Sequence, residues 1–460
     1  VAGDKIPRRE RRCNTEAPKV NREVGWEMEG PSNYKMQLTA EEQAILKGGQ
    51  GEPLRKAMES VVSYGAIFGA QKLVAIDGAA HMVTSFGLKI IKPYFGMVEE
   101  LIAAGLHTQK PFTVDPRPID YENVKYRLLE KAISKLLYGK RQKLYEGQLA
   151  QLGLRDSKAF TCTCYLPEVG NIPRKGDIMA WSESSAVVYA NSLLGARTNR
   201  NSAGIDLLCN VINKAPLFGL LTDEGRRATW LVEIRTSQMP NAQLLGSAIG
   251  LRVMEEVPYV VGLDRFLGEG LHETTRDYLK DMGAASASNG AVGLYHVENI
   301  TPEAIEMKRD LLVDGYRKYV VDDAELEQVL RSYPIPWKRG SVRPQRCFIG
   351  CPHLSLEQLR CWARCIPEAL QKLGRACVKV ETYLCAAPDV IERLKQYGRE
   401  YKRLIAAGVR LTSICPLAFM SNPLSARKAV ITNSNKLRTY STARFVPDEQ
   451  VSDIITEGHI

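Results

Sequence analysis

Arg346-Cys-Phe-Ile-Gly350-Cys-Pro-His-Leu-Ser355-Leu-Glu-Gln358 reads as a strand handing over to a helix. Arg346 to Ile349 is a short β-type run that closes on Gly350. Ser355 and Gln358 have the spacing of a capping box, in which two side chains satisfy free N–H groups at the start of a helix over Leu356 to Leu373. Cys351 and His353 are then expected to project from the turn between them. Cys347 reads as a strand residue facing the core. Cys361 and Cys365, one helical turn apart, read as small buried side chains.

The same alternation extends in both directions. Thr39 and Glu42 form another capping box, and Pro53 opens a helix with Leu54, Ala57, Met58, Val61 and Val62 on one face. Lys72 to Ile76 reads as a strand. Tyr126, Leu129, Ala132, Ile133, Leu136 and Leu137 form a further apolar stripe. β-type runs follow at Phe160 to Thr163, Trp230 to Ile234, Val292 to Val297 and Lys428 to Thr432, with helices over Leu244 to Met254 and Pro302 to Leu312. The pattern is α/β, with mostly parallel sheets flanked by helices. A chain of 460 residues is expected to be multidomain. Residues 1–35 are expected to form a polar, disordered extension and 36–460 the folded region, with an internal boundary near 300. Ligands in such sheets gather at the carboxyl edge of the strands.

Composition excludes several classes. The hydrophobic share of 45% and charged share of 25% are ordinary for a globular chain. No uncharged apolar run approaches the ~18–20 residues of a membrane span, and the basic start of the chain has no apolar segment resembling a secretory signal. The net charge of +10 is scattered apart from Arg8 to Arg12 and Lys135 to Lys143. With no zinc-finger spacing and no RNA-binding aromatic signature, it reads as a solvated basic surface rather than a nucleic-acid interface. Eleven cysteines, an odd number spread through the chain, imply free thiols and a reducing, cytoplasmic setting. There is no P-loop, dinucleotide fingerprint, H-E-x-x-H or G-x-S-x-G.

Three segments concentrate polar residues after strand-like runs. Thr161 to Arg200 holds Cys162 and Cys164, the trio Glu183-Ser184-Ser185 at the start of an apolar helix, and Arg197, Asn199 and Arg200, which offer donors suited to a carboxylate. The second is the Cys351 turn. The third comprises Thr412 to Pro416, with Cys415 where a strand gives way to Pro416, and Ile431 to Lys436, which contains Thr432-Asn433-Ser434. Three thiols far apart in sequence do not match structural zinc, which uses local cysteine pairs and four ligands. They suit iron or an iron-sulfur cluster acting as a Lewis acid.

These segments resemble the large subunit of the aconitase X family. The resemblance is carried by Thr161 to Leu166, Trp181 to Val187, Asn191 to Arg200, Ser288 to Thr301, Gly350 to Ser355 and Thr432 to Ser434, and runs from about Met36 to the end. It implies an aconitase-like fold and a hydro-lyase that removes water from a small hydroxy-carboxylic substrate with an iron-sulfur cluster or a single iron. It implies Cys162, Cys351 and Cys415 as the iron ligands. Cys164 stands where the family has proline, so either thiol of that run can serve, with Cys162 holding the family position. Glu183, Ser184, Ser185 and His81 are implied as catalytic, and Arg197, Asn199, Arg200, Thr432, Asn433 and Ser434 as substrate-binding. A small aconitase X subunit, or a missing fused small domain, is expected as partner. Known members dehydrate cis-3-hydroxy-L-proline or mevalonate 5-phosphate, and the first is the expected substrate. A non-catalytic metal- or ligand-binding protein of the same fold is the reading from another class.

Overall fold

A computed structural model describes residues 36–83, 92–337 and 343–460. The expectations for residues 1–35 lie outside these. Two parallel sheets carry most of the architecture. Ala228–Ile234 pairs with Pro258–Val261 and Leu312–Val321, and His296–Val297 completes a four-stranded sheet. Arg346–Leu354 is the middle strand of a five-stranded sheet, with Glu381–Ala386 and Arg410–Thr412 on one side and Val430–Thr432 and Arg444–Phe445 on the other. Near the amino end are a parallel pair, His81–Met82 with Thr113–Val114, and an antiparallel pair, Leu73–Ala75 with Lys214–Pro216. The fold is therefore α/β with mostly parallel sheets flanked by helices, as the sequence implies. No helix among the described residues is long and apolar enough to cross a membrane.

The helix Glu273–Asn289 joins the two large sheets. It packs on Ala242–Val253, where a Cβ at Gly246 would stand 2.1 Å from the Met282 carbonyl oxygen and one at Gly250 2.6 Å from that of Ser286. Glycine at these two positions lets the backbones approach more closely than any side chain allows. The same helix reaches Ser184–Tyr189, Asn435–Tyr440 and the strand Arg346–Leu354. It thereby carries Asp277, Lys280 and Asp281 toward the cysteine turns.

Several expectations need correction. The strand that begins at Arg346 does not end at Gly350. It runs to Leu354, with Leu354 paired to Ala386 after a register shift. Gly350 sits at φ 101°, and a Cβ there would lie 2.4 Å from the Cys385 carbonyl oxygen, so the strand bends rather than stops. Cys361 and Cys365 are exposed, because Leu359, Ala363, Ile366 and Leu370 on the other side of Leu356–Lys372 face the core. Leu129 and Leu136 are exposed too, so the stripe drawn through them is not a core face. Cys347 is fully buried, as expected.

Candidate active site

The turns of Cys162 and Cys415 meet the bent end of the strand Arg346–Leu354, which carries Cys351, at the carboxyl side of the five-stranded sheet, and His353 joins them. Its Nδ1 lies 3.0 Å from the Thr161 hydroxyl and its Nε2 3.2 Å from the Ile414 carbonyl oxygen. Since a carbonyl only accepts, Nε2 carries the proton and Nδ1 accepts from Thr161. The His353 backbone N–H donates to Cys162 Sγ at 3.2 Å, and the His353 carbonyl accepts from Lys280 Nζ at 3.0 Å. One side chain thus links the neighbours of Cys162 and Cys415 and sits two residues beyond Cys351. Burial lowers the His353 pKa to about 4, so the ring is neutral at pH 7. Replacing His353 by leucine would take the ring donor from the buried Ile414 carbonyl, while Thr161 keeps its contacts with Thr163. Urea unfolding is expected to show a loss of about 1–3 kcal/mol.

The thiols share one neighbourhood. Cys162 and Cys351 influence each other electrostatically and both sense Lys436, while Cys415 senses Cys351. Burial raises the pKa of all three, that of Cys415 to about 12. Cys162 rather than Cys164 accepts the N–H from the Cys351 turn, and Cys164 lies against Thr113 and Glu183. The Ser434 hydroxyl donates to the Cys351 carbonyl oxygen and also caps the helix Asn435–Tyr440. Sequence reasoning passed over Cys385, a buried thiol that senses Cys162, Cys351 and Cys415 together. Among the described residues no three His, Cys, Asp or Glu side chains stand in ready metal-binding geometry. The donor chemistry would nevertheless suit iron, since Cys162, Cys351 and Cys415 offer three soft thiols, and two of them receive backbone N–H groups, from His353 and, at 3.4 Å, from Ala418.

Beside the thiols is a buried ion pair. Glu183 is the N-cap of Ser184–Tyr189, with Oε2 accepting from the Ala186 N–H and the Ser185 hydroxyl, both at 2.7 Å. Its Oε1 pairs with Lys436 Nζ, which also reaches the hydroxyls of Ser184 at 3.2 Å and Ser185 at 3.4 Å. Glu183 is 4% exposed and Lys436 8%. Burial opposes both charges, but each partner outweighs it: Lys436 holds the carboxylate below its usual pKa, and Glu183 and the neighbouring thiols hold the ammonium above its own. Lys436 is the main residue that sequence reasoning missed. The only cue was its place two residues after Ser434, since its partner lies on another domain segment.

His81 is fully buried near this pair. Nδ1 lies 2.9 Å from the Thr113 hydroxyl, Trp181 packs edge-on at 5.6 Å, and Nε2 has no hydrogen-bond partner among the described residues. Burial lowers its pKa to about 4, leaving a neutral ring. Not every expected residue joins the group. Arg197 donates to the Leu221 carbonyl at 3.1 Å and pairs with Asp223, and Asn199 clamps the Phe218–Leu220 loop through both amide atoms. Arg200 is exposed and donates to the Ala287 carbonyl at 3.3 Å. The Thr432 hydroxyl accepts from the Ser434 N–H, and Asn433 donates to Asp448 at 2.7 Å. On the far side of His353, the Ser355 hydroxyl donates to Asp277, whose pKa burial raises to about 6.

Known proteins of one family match the chain along most of its length. The aconitase X first-domain model matches residues 35–224, the second-domain model 228–331 and the third-domain model 345–451. The phosphomevalonate dehydratase large subunit of Thermococcus kodakarensis is 31% identical over 92% of this chain and 100% of its own length. The corresponding subunit of Methanocaldococcus jannaschii is 28% identical over 88% and 95%. The cis-3-hydroxy-L-proline dehydratase of Pseudomonas aeruginosa is 28% identical over 88% of this chain but 66% of its own. The crystal structure of Thermococcus kodakaraensis aconitase X in its holo-form superposes with a TM-score of 0.75 at 29% identity, covering 92% of this chain and 100% of that one. The chain belongs to the aconitase X family of hydro-lyases.

Proposed function

We propose that the chain is the large subunit of a dehydratase that removes water from mevalonate 5-phosphate. The observation that carries this reading is the degree of similarity: the Thermococcus phosphomevalonate dehydratase large subunit is 31% identical over 92% of this chain, against 28% over 88% for the Pseudomonas cis-3-hydroxy-L-proline dehydratase. The expectation of hydroxyproline therefore gives way to the phosphorylated acid. A small aconitase X subunit, or a fused small domain, is part of this reading as the partner that completes the site. Free thiols at all ten described cysteines support a reducing, cytoplasmic setting.

In this reading Cys162, Cys351 and Cys415 hold iron, as a cluster or a single ion. When bound, iron supplies a Lewis acid for a departing hydroxyl oxygen. The chain's own groups do the rest. Lys436 and the Ser184 hydroxyl offset the negative charge that grows on the substrate carboxylate as the neighbouring carbon loses its proton, while the Ser185 hydroxyl holds Glu183 in place beside them. His81, neutral and with a free Nε2, accepts that proton. The carbon–oxygen bond then breaks, a carbon–carbon double bond forms, and the hydroxide leaves as water with the equivalent of the proton given to His81, which returns the ring to its neutral form. Arg200, with donors to spare, anchors the substrate phosphate, while Arg197 and Asn199 brace the loop beneath it.

The test is turnover by the anaerobically purified chain, with its small partner, on both acids. Mevalonate 5-phosphate is expected to be dehydrated with kcat/KM at least ~100-fold above that for cis-3-hydroxy-L-proline, a gap of about 2.7 kcal/mol in transition-state stabilisation. The reverse preference would return the assignment to the hydroxyproline dehydratases.

A further inference from the structure

At the amino edge of the five-stranded sheet, opposite the cysteine turns, is a cavity of about 670 Å³. That is ample for a metabolite-sized ligand. Arg346 opens the middle strand there. Its Nε donates to Glu381 at 2.9 Å and its Nη2 to the Lys125 carbonyl, but Nη1 is buried with no hydrogen-bond partner among the described residues. Arg346 is 2% exposed, so this is a buried, charged donor left open in the wall of a cavity. The Tyr121 hydroxyl, in the same wall, is a second buried group without a partner. Leaving such groups unpaired costs about 1–3 kcal/mol each, which an accepting ligand would recover.

The charge balance has the same sense. The acids beneath the cavity are already used: Glu381 by Arg346, and Glu130 by Lys428 at 2.6 Å and by Arg346 Nη2 at 3.7 Å. Lys125, Arg127, Lys131, Lys379 and Arg410 line the cavity without a carboxylate within ion-pair distance among the described residues, and Glu122 is the remaining acid in the wall. A single carboxylate ligand would leave most of that charge uncompensated. The edge-on pair of Tyr121 and Tyr126, ring centres 5.1 Å apart, adds an aromatic side.

We infer that this cavity is a second anion site, separate from the reaction centre, that binds a small molecule carrying a phosphate or diphosphate group. Arg346 reads the anion through Nη1, and the five surrounding cations compensate its multiple charges. About five residues of one strand, some 16 Å, separate Arg346 from Cys351. Inorganic pyrophosphate is the probe. Calorimetric titration of the intact protein is expected to show binding that weakens at least tenfold in Lys125→Glu/Lys379→Glu and, separately, in Arg127→Glu. All three positions are exposed, so folding is expected to survive. Affinity should stay at the wild-type level in Arg200→Ser, which alters the anion anchor proposed for the reaction centre. No binding to the wild type at 10 mM, or wild-type affinity in both cavity variants, overturns the inference.

Discussion

Replacing Lys436 by methionine is expected to destabilise the protein by about 3–5 kcal/mol, because it strands the buried Glu183 carboxylate. The lysine is the partner of Glu183 Oε1, and the other carboxylate oxygen is already committed to Ser185 and the Ala186 N–H. Desolvation persists in the variant while the counter-charge is gone, so the Glu183 pKa moves above its value in the unfolded chain. The folded state then binds the extra proton, and stability should rise as pH falls through that pKa. Wild type should show the opposite for this group, since its carboxylate is held below the usual value. The double variant Lys436→Met/Glu183→Gln should recover much of the lost stability. If Lys436 serves the substrate carboxylate as well, turnover should remain depressed ~100-fold or more in the double variant, the usual cost of removing such a donor. Recovery of both stability and turnover would confine Lys436 to a structural role.

Serine substitution at Cys162, Cys351 or Cys415 is expected to abolish both bound iron and dehydration. Serine keeps the size of the side chain but replaces a soft sulfur donor with a hard hydroxyl that stays protonated at neutral pH. Cys361→Ser and Cys365→Ser should retain full iron and full rate, because those thiols lie on the exposed side of Leu356–Lys372. Iron analysis and turnover on the same anaerobic preparations check this. Cys164→Ser is a useful companion: its thiol lies against Thr113 and Glu183 rather than toward the Cys351 turn, so iron should stay bound.

Local signals carried most of what could be foreseen. The capping boxes at Thr39 and Ser355 and the N-cap at Glu183 depend on residues three apart, and the structure contains all three. The turns at Cys162 and Cys415 were legible because apolar runs break at polar residues there, whereas Cys351 lies on the strand itself. What a single sequence conceals is which distant partner occupies each donor. Arg197 and Asn199 look like substrate contacts, yet the loop at 218–223 consumes their hydrogen bonds. Lys436 looks like an ordinary basic residue after a strand, and only the fold sets it on Glu183, 253 positions away. The bend at Gly350 likewise depends on the Cys385 carbonyl of the adjacent strand, so the strand's continuation to Leu354 had no local cue. The exposed faces of Leu129 and of Cys361 show the same limit, since periodicity identifies a stripe without saying whether anything packs on it.

The central claim, that the three cysteine turns form the iron-holding reaction centre, is tested most directly by thiol labelling of the wild-type protein. Cys351 and Cys415 are partly exposed, whereas Cys361, Cys365 and Cys377 are exposed. Iodoacetamide is applied to iron-loaded and chelator-treated samples, with peptide mapping and mevalonate 5-phosphate turnover measured on each. The prediction is that Cys351 and Cys415 are shielded only while iron is bound, that turnover is lost as they become reactive, and that the three surface thiols react in both samples. Equal labelling of Cys351 and Cys415 in the iron-loaded, active sample would contradict it.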